Sequence, residues 1–284
     1  AFCAGGDIRA LYDSHQQGLD LHQQFFQEEY DLDLAIHEYR KPILALMDGL
    51  VLGGGLGLVQ SADLRVVTER SSLGMPEVGI GYFPDVGASY FLPRLPGEVG
   101  LYLGVTGNRL GAADALYCGL ADWYLDSECL AALDAGLDQL QFGDYPLKDL
   151  QNLLASLGTQ ALDDAPLAQL RPVIDHFFAL PDVPSIVEQL RAVSIGGRGE
   201  GERDQALLRA GHRFAGVGEI GQKIEDERLL CGAEIDGLDE AEPVERVEEA
   251  MLRHLDFTPG EMIVGHLYVG NRLVVAAGRA HRVA

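Results

Sequence analysis

Residues 42–93 read PILALMDGLVLGGGLGLVQSADLRVVTERSSLGMPEVGIGYFPDVGASYFLP, and their reading decides the fold. The apolar run Ile43-Leu44-Ala45-Leu46-Met47 predicts a buried strand. It feeds the loop Gly49–Gly57, whose glycine triplet lets the backbone turn and approach a neighbour closely, because no Cβ intervenes. Leu56–Ala62 has helical potential, so the glycine amides fall at or near a helix N-terminus. Unpaired N–H groups there point outward into a partly positive field. Such a place suits an anion, or an oxygen that becomes anionic during a reaction. A plain strand-to-helix turn would also account for the glycines, and the flanking segments decide between the two.

Upstream, Ala1-Phe2-Cys3-Ala4-Gly5-Gly6-Asp7-Ile8 is a second small-residue loop running into a helical stretch, with Asp7 able to cap it. Downstream, Glu77 and Asp85 stand in an otherwise apolar, glycine-rich segment, Met75–Gly87. Burying an unpaired carboxylate is expensive, so acids in such surroundings tend to be functional or heavily hydrogen-bonded.

Three segments, AFCAGGDI at 1–8, ALMDGLVLGGGLGL at 45–58 and MPEVGIGYFPDVGASYFLPRL at 75–95, together resemble the crotonase (enoyl-CoA hydratase/isomerase) superfamily. Within it they are most similar to the 3-hydroxyisobutyryl-CoA hydrolase branch. The resemblance implies an α/β fold, a crotonase-like spiral of ββα units with a helical C-terminal region. It divides the chain into a core at 1–125, a helical region at 126–194 and a poorly matched segment at 195–284. It also implies that the family's opening strands are missing from this sequence.

For the site, the resemblance implies an oxyanion hole built from the backbone N–H groups of Gly6 and Gly54. Glu77 and Asp85 become the catalytic acids, and Glu29, Gly53, Ala4 and Asp7 contact substrate. A hydratase of the superfamily carries a second glutamate after the glycine triplet, where this chain has Gly57. Its loss disfavours hydration, and Asp85 marks the hydrolase branch. The implied activity is hydrolysis of a short branched β-hydroxyacyl-CoA thioester in valine breakdown. Alternatives are a hydratase or isomerase of the same superfamily, and a catalytically silent acyl-CoA-binding subunit. CoA is then part of the substrate, and no separate cofactor is expected. The resemblance further implies a homo-oligomer, of open order.

Composition bounds the rest. A chain of 284 residues can bury a substantial core. Its net charge of −23 argues against nucleic acid or an anionic membrane as partner, both of which favour basic faces. Cys3, Cys118, Cys129 and Cys231 lack paired spacing and read as buried thiols of a reducing compartment, the cytoplasm or, in a eukaryote, the mitochondrial matrix. No run is apolar for long enough to span a membrane, and no cluster has the spacing of metal ligands.

Along the chain, Ile8–Tyr12 predicts a short helix and Leu19–Tyr39 a longer one, with Leu21, Phe25, Phe26, Tyr30, Leu34 and Ile36 as a core-facing stripe. Glu28 and Glu29 on it read by themselves as a solvated acidic pair, and the resemblance alone gives Glu29 a substrate contact. Asp63–Thr68, Ser72–Met75 and Trp123–Leu125 predict strands, and the order of elements predicts parallel pairing. Asp85 doubles as a candidate N-cap for a helix at Val86–Leu92. Further helices are expected at 97–104, 112–118, 130–140, 147–157, 167–178 and 185–193. His15, His22 and His37 read as surface residues, and Ser89 lacks the context of a nucleophile. Residues 195–201 read as a joint, Pro243–Leu255 as a helix and Met262–Val275 as a β-like run. That last region is either an added subdomain or the product of an altered reading frame.

Overall fold

The computed structural model describes residues 2–195 and two later strands, at 265–269 and 272–276. Helix α1 spans Ile8–Gln16, and Asp7 caps it by accepting a hydrogen bond from the Ala10 N–H at 3.0 Å. Helix α2 follows at Leu21–His37. Then come β1 (Ile43–Met47), β2 (Leu50–Leu52), α3 (Gly54–Gln60), β3 (Leu64–Val67) and β4 (Ser72–Gly74). As the order of elements predicts, β1 pairs with β3 and β2 with β4, both parallel. β5 (Trp123–Tyr124) extends the larger sheet beyond β3. On the other edge of β1 lies an antiparallel pair, β6 (Gly265–Val269) and β7 (Arg272–Ala276), which overlaps the β-like run read from the sequence and ends one residue beyond it.

All five residues of β1 are buried, which is why its sequence is continuously apolar rather than alternating. Its two faces feed different cores. Ile43, Ala45 and Met47 join Phe2, Val51, Leu56, Val67 and Leu73 on one side. Leu44 and Leu46 join Leu64, Val66, Trp123, Leu133 and Leu154 on the other. The first core is closed by α4 (Ala88–Phe91), α5 (Val99–Thr106), α6 (Ala112–Cys118), α9 (Pro166–Phe177) and α10 (Val183–Ile195). The second is closed by α7 (Leu130–Gln139) and α8 (Pro146–Leu157).

Several expectations need correction. The stripe on α2 does not face the core: Ile36 alone is buried, and Leu21, Tyr30 and Leu34 are exposed. The helix rests on α1 and α3 and reaches the core of the sheet through Ile36. Asp85 is not the side-chain cap of α4, whose N-cap is Gly87. Cys118 is buried, but Cys3 and Cys129 are half-buried, and Cys231 lies outside the described residues. His15 and His22 are half-buried and meet edge to face between α1 and α2, with ring centroids 5.1 Å apart. The helix expected at 243–255 and the joint beyond Ile195 lie outside the described residues. Among the described residues, no helix is long and apolar enough to cross a membrane.

Leu154 is fully buried where α8 meets the back of the sheet. Leu154→Ala should lower the unfolding free energy by about 2–5 kcal/mol in urea titrations, with activity per folded molecule retained.

Candidate active site

The first loop is stitched to β2. The N–H groups of Phe2 and Cys3 donate to the Leu50 carbonyl at 3.1 and 2.9 Å, and Leu52 N–H donates to the Cys3 carbonyl at 2.9 Å. A Cβ on Gly55 would collide with that Cys3 carbonyl, so only glycine permits the approach. Gly5 lies beside Gly54, its Cα 3.6 Å from where a Gly54 Cβ would stand. Gly53 turns the chain with φ +52 and hooks it to β4 through Gly53 N–H to the Gly74 carbonyl, 3.0 Å. Two amides of these adjoining loops are left over. Among the described residues, neither Gly6 N–H nor Gly54 N–H donates to a protein acceptor.

Carboxyl groups crowd the same turn. Glu77 opens a 3-10 turn, Glu77–Ile80, and is only 7% exposed. Its Oε1 sits 2.6 Å from the position of a Gly53 Cβ. Glu29 of α2 presses on Gly54, and Asp33 Oδ2 lies 2.8 Å from the position of a Gly57 Cβ. The glycines therefore make room for acids from two other elements. Burial, then the charges of Asp85, Asp33 and Glu77, push the Glu29 carboxyl up to about 7. Burial and the charge of Asp85 push Asp33 up to about 7 as well. Glu77 rises to about 7 because burial and the Asp85 charge outweigh a backbone hydrogen bond that favours its ionised form. Both Asp33 oxygens and Glu77 Oε2 are buried without a hydrogen-bond partner. Such orphaned acceptors are rare in folded proteins unless a ligand or proton serves them.

Asp85 completes the group from a strained turn. Val86 has φ +41, a left-handed conformation that a β-branched side chain rarely adopts, and Gly87 follows at φ +82. Val86 is held there by wedging into the space above Gly57, where an added Cβ would come within 2.5 Å of Val86 Cβ. No side chain fits at Gly57 while Val86 occupies that space. The Asp85 carbonyl accepts from Ala88 N–H at 2.7 Å, which leaves its carboxyl free of the helix. Asp85 Oδ2 instead accepts a 2.6 Å hydrogen bond from the Tyr30 hydroxyl.

Of the residues singled out from sequence, Gly6, Gly53, Gly54, Glu29, Glu77 and Asp85 come together around the start of α3. The Asp7 carboxyl is exposed and spent on capping α1, and Ala4 is a half-buried member of the first loop. Three residues were missed: Asp33, Tyr30 and Tyr82. Asp33 follows Glu29 by one helical turn, a spacing that places both acids on one face of α2. Tyr30 carried a misleading signal, since it also fitted an apolar stripe. Among the described residues, no group of His, Cys, Asp or Glu is arranged to hold a metal ion.

A sequence profile of the Enoyl-CoA hydratase/isomerase family matches residues 1–260, and the chain belongs to that family. A solved carnitinyl-CoA dehydratase from Mycobacterium thermoresistibile shares the crotonase fold, with a TM-score of 0.61 at 26% identity over 92% of this chain and 82% of that one. The chain is 44% identical over 196 residues to the mitochondrial 3-hydroxyisobutyryl-CoA hydrolase of Xenopus tropicalis, covering 67% of this chain and 50% of that protein. It is 38% identical over 208 residues to the small ribosomal subunit protein mS47 of Neurospora crassa, covering 69% of this chain and 41% of that protein. It thus spans about half the length of the curated relatives it matches.

Three acids raised to about 7 make stability depend on pH. Between their unfolded values near 4–4.5 and about 7, the folded chain holds more protons than the unfolded one. Stability should therefore fall as pH rises through that window, read as a falling urea midpoint. Asp33→Asn should unfold at higher urea than the parent at pH 8, and the gain should shrink as pH falls below 7 and vanish only below about 4, where the unfolded carboxyl is protonated too.

Proposed function

We propose that the chain is a thioester hydrolase for a short branched β-hydroxyacyl-CoA of the 3-hydroxyisobutyryl type, serving valine breakdown in the cytoplasm or, in a eukaryotic cell, the mitochondrial matrix. The observation that carries this reading is the meeting of Glu77 and Asp85 beside two unengaged amides, with Val86 filling the place of a side chain at position 57. A hydratase of the kind that uses a second glutamate there has no room for it in this chain. The names of the curated relatives point the same way.

In the proposed reaction the thioester carbonyl oxygen lies between Gly6 N–H and Gly54 N–H. Negative charge forms on that oxygen as the carbonyl carbon is attacked, and fixed amides stabilise it without reorienting. Glu77, ionised, either takes a proton from the attacking water or attacks the carbon itself to give a mixed anhydride. In the first route, collapse of the tetrahedral intermediate expels the CoA thiolate and leaves the free acid. In the second, the thiolate leaves first and water then opens the anhydride. Asp85 accepts the substrate hydroxyl and helps to place water or protonate the thiolate, and Glu29 supports the same polar end. CoA enters as part of the substrate, and the working assembly is a homo-oligomer.

One finding favours a second reading. The likeness to mS47, a small ribosomal subunit protein by name, fits a chain that serves as a subunit of a protein assembly rather than as a catalyst. Free thiol released from 3-hydroxyisobutyryl-CoA separates the readings from each other, and loss of double-bond absorbance from an enoyl-CoA would mark a hydratase.

Glu77→Gln should lower CoA release by about 10²–10⁴-fold. In the parent, kcat/KM should rise with pH through about 7, because only ionised Glu77 can act. In single-turnover hydrolysis in heavy-oxygen water, label retained in Glu77 would select the anhydride route.

A further inference from the structure

We infer that Tyr30 is a positioning residue for this reaction: its hydroxyl holds the Asp85 carboxyl so that the remaining oxygen meets a hydroxyl on the acyl chain. The inference rests on the hydrolase reading of the site. It starts from the 2.6 Å hydrogen bond between Tyr30 Oη and Asp85 Oδ2, made between residues 55 apart in sequence. Asp85 belongs to a loop turn and Tyr30 to the middle of α2, so this bond joins two elements across the site.

The rest of the site leaves Asp85 few other restraints. Its carboxyl caps no helix, and no ion pair with it occurs among the described residues. Oδ1 has no protein hydrogen bond among the described residues. The groups acting on this corner are Glu29 and Asp33 from α2, Glu77 and Tyr82 from the segment before Asp85, and Cys3 from the first loop. Among the described residues, none of the groups acting there is a cation. Without the Tyr30 hydroxyl, the carboxyl would swing away from its acidic neighbours toward water.

A phenol that donates to one carboxyl oxygen does two things. It fixes the plane of the carboxyl, and it leaves the other oxygen as an acceptor in a known place. An acyl chain bearing a hydroxyl supplies the donor that oxygen lacks. A plain acyl chain bound over that oxygen takes it from water without pairing it, which is the physical basis of discrimination for a hydroxyl. Burial and the bond to Asp85 drive the Tyr30 hydroxyl far above its ordinary pKa, so it remains a donor across the working pH range. Tyr82 lies beside Tyr30 at the same corner.

The test compares kcat/KM for 3-hydroxyisobutyryl-CoA and isobutyryl-CoA, in the parent and in Tyr30→Phe. Tyr30 is 42% exposed, so the variant should fold, and thermal unfolding checks this. The expected result is a fall of about 10-fold or more for the hydroxylated substrate with little change for the plain one, so that the preference collapses. An equal fall for both substrates, or no fall for either, overturns the inference. If the parent releases CoA from neither substrate, the hydrolase reading fails by itself. The positioning role is then decided by calorimetric binding of the matching CoA thioethers, which carry no cleavable thioester. Discrimination by the parent that Tyr30→Phe loses upholds it, and equal binding of the two by the parent overturns it.

Discussion

The crowding of acids against the first turn of α3 is the constraint that the rest of the site obeys. Two like charges one helical turn apart, at an effective dielectric near 20, repel by about 3 kcal/mol. Burial raises Glu29, Asp33 and Glu77 most and the charge of Asp85 adds to it, so protons stay on some of the four carboxyls near neutrality. Protons held in place and ready to move are what acid–base chemistry on a thioester requires. The glycines allow this arrangement, because at Gly53, Gly54 and Gly57 a Cβ would occupy the volume that a carboxyl oxygen already fills.

The same loop serves the backbone. Gly55 admits the Cys3 carbonyl, which fixes the first loop beside the second, and the Gly6 and Gly54 amides are left without acceptors. Strain at Val86 is part of this packing. Its left-handed backbone places Asp85 over the site, and its side chain closes the space at Gly57. A side chain at Gly57 would disturb the wedge, the turn and Asp33 at once. Such over-determination is how a strained residue persists at a working site.

Much of this was legible in the sequence, for physical reasons. β1 announced itself because a strand buried on both faces must be continuously apolar, and Ile43–Met47 is its whole length. The loop announced itself because only glycine tolerates close backbone approach. Helix α2 misled because its apolar residues suggest a buried face, while the structure sets it against α1 and α3 and leaves Leu34 and Tyr30 exposed. Asp33 was overlooked because an acid on a helix is usually solvated, and only the tertiary position of α2 over Gly57 buries its oxygens. Asp85 kept two readings open, cap or site acid, until the left-handed turn at Val86 separated its carboxyl from α4.

Direct titration of the carboxyl carbons by ¹³C NMR tests the central claim most closely, with Glu29, Asp33 and Glu77 assigned by substitution one at a time. The account predicts that these three titrate near 7 and that Glu29 is coupled to Asp33 and to Glu77, so that replacing either of those shifts Glu29 downward. Three independent titrations near 4, unmoved by each substitution, would mean that the acids do not share one site, and the account would be wrong.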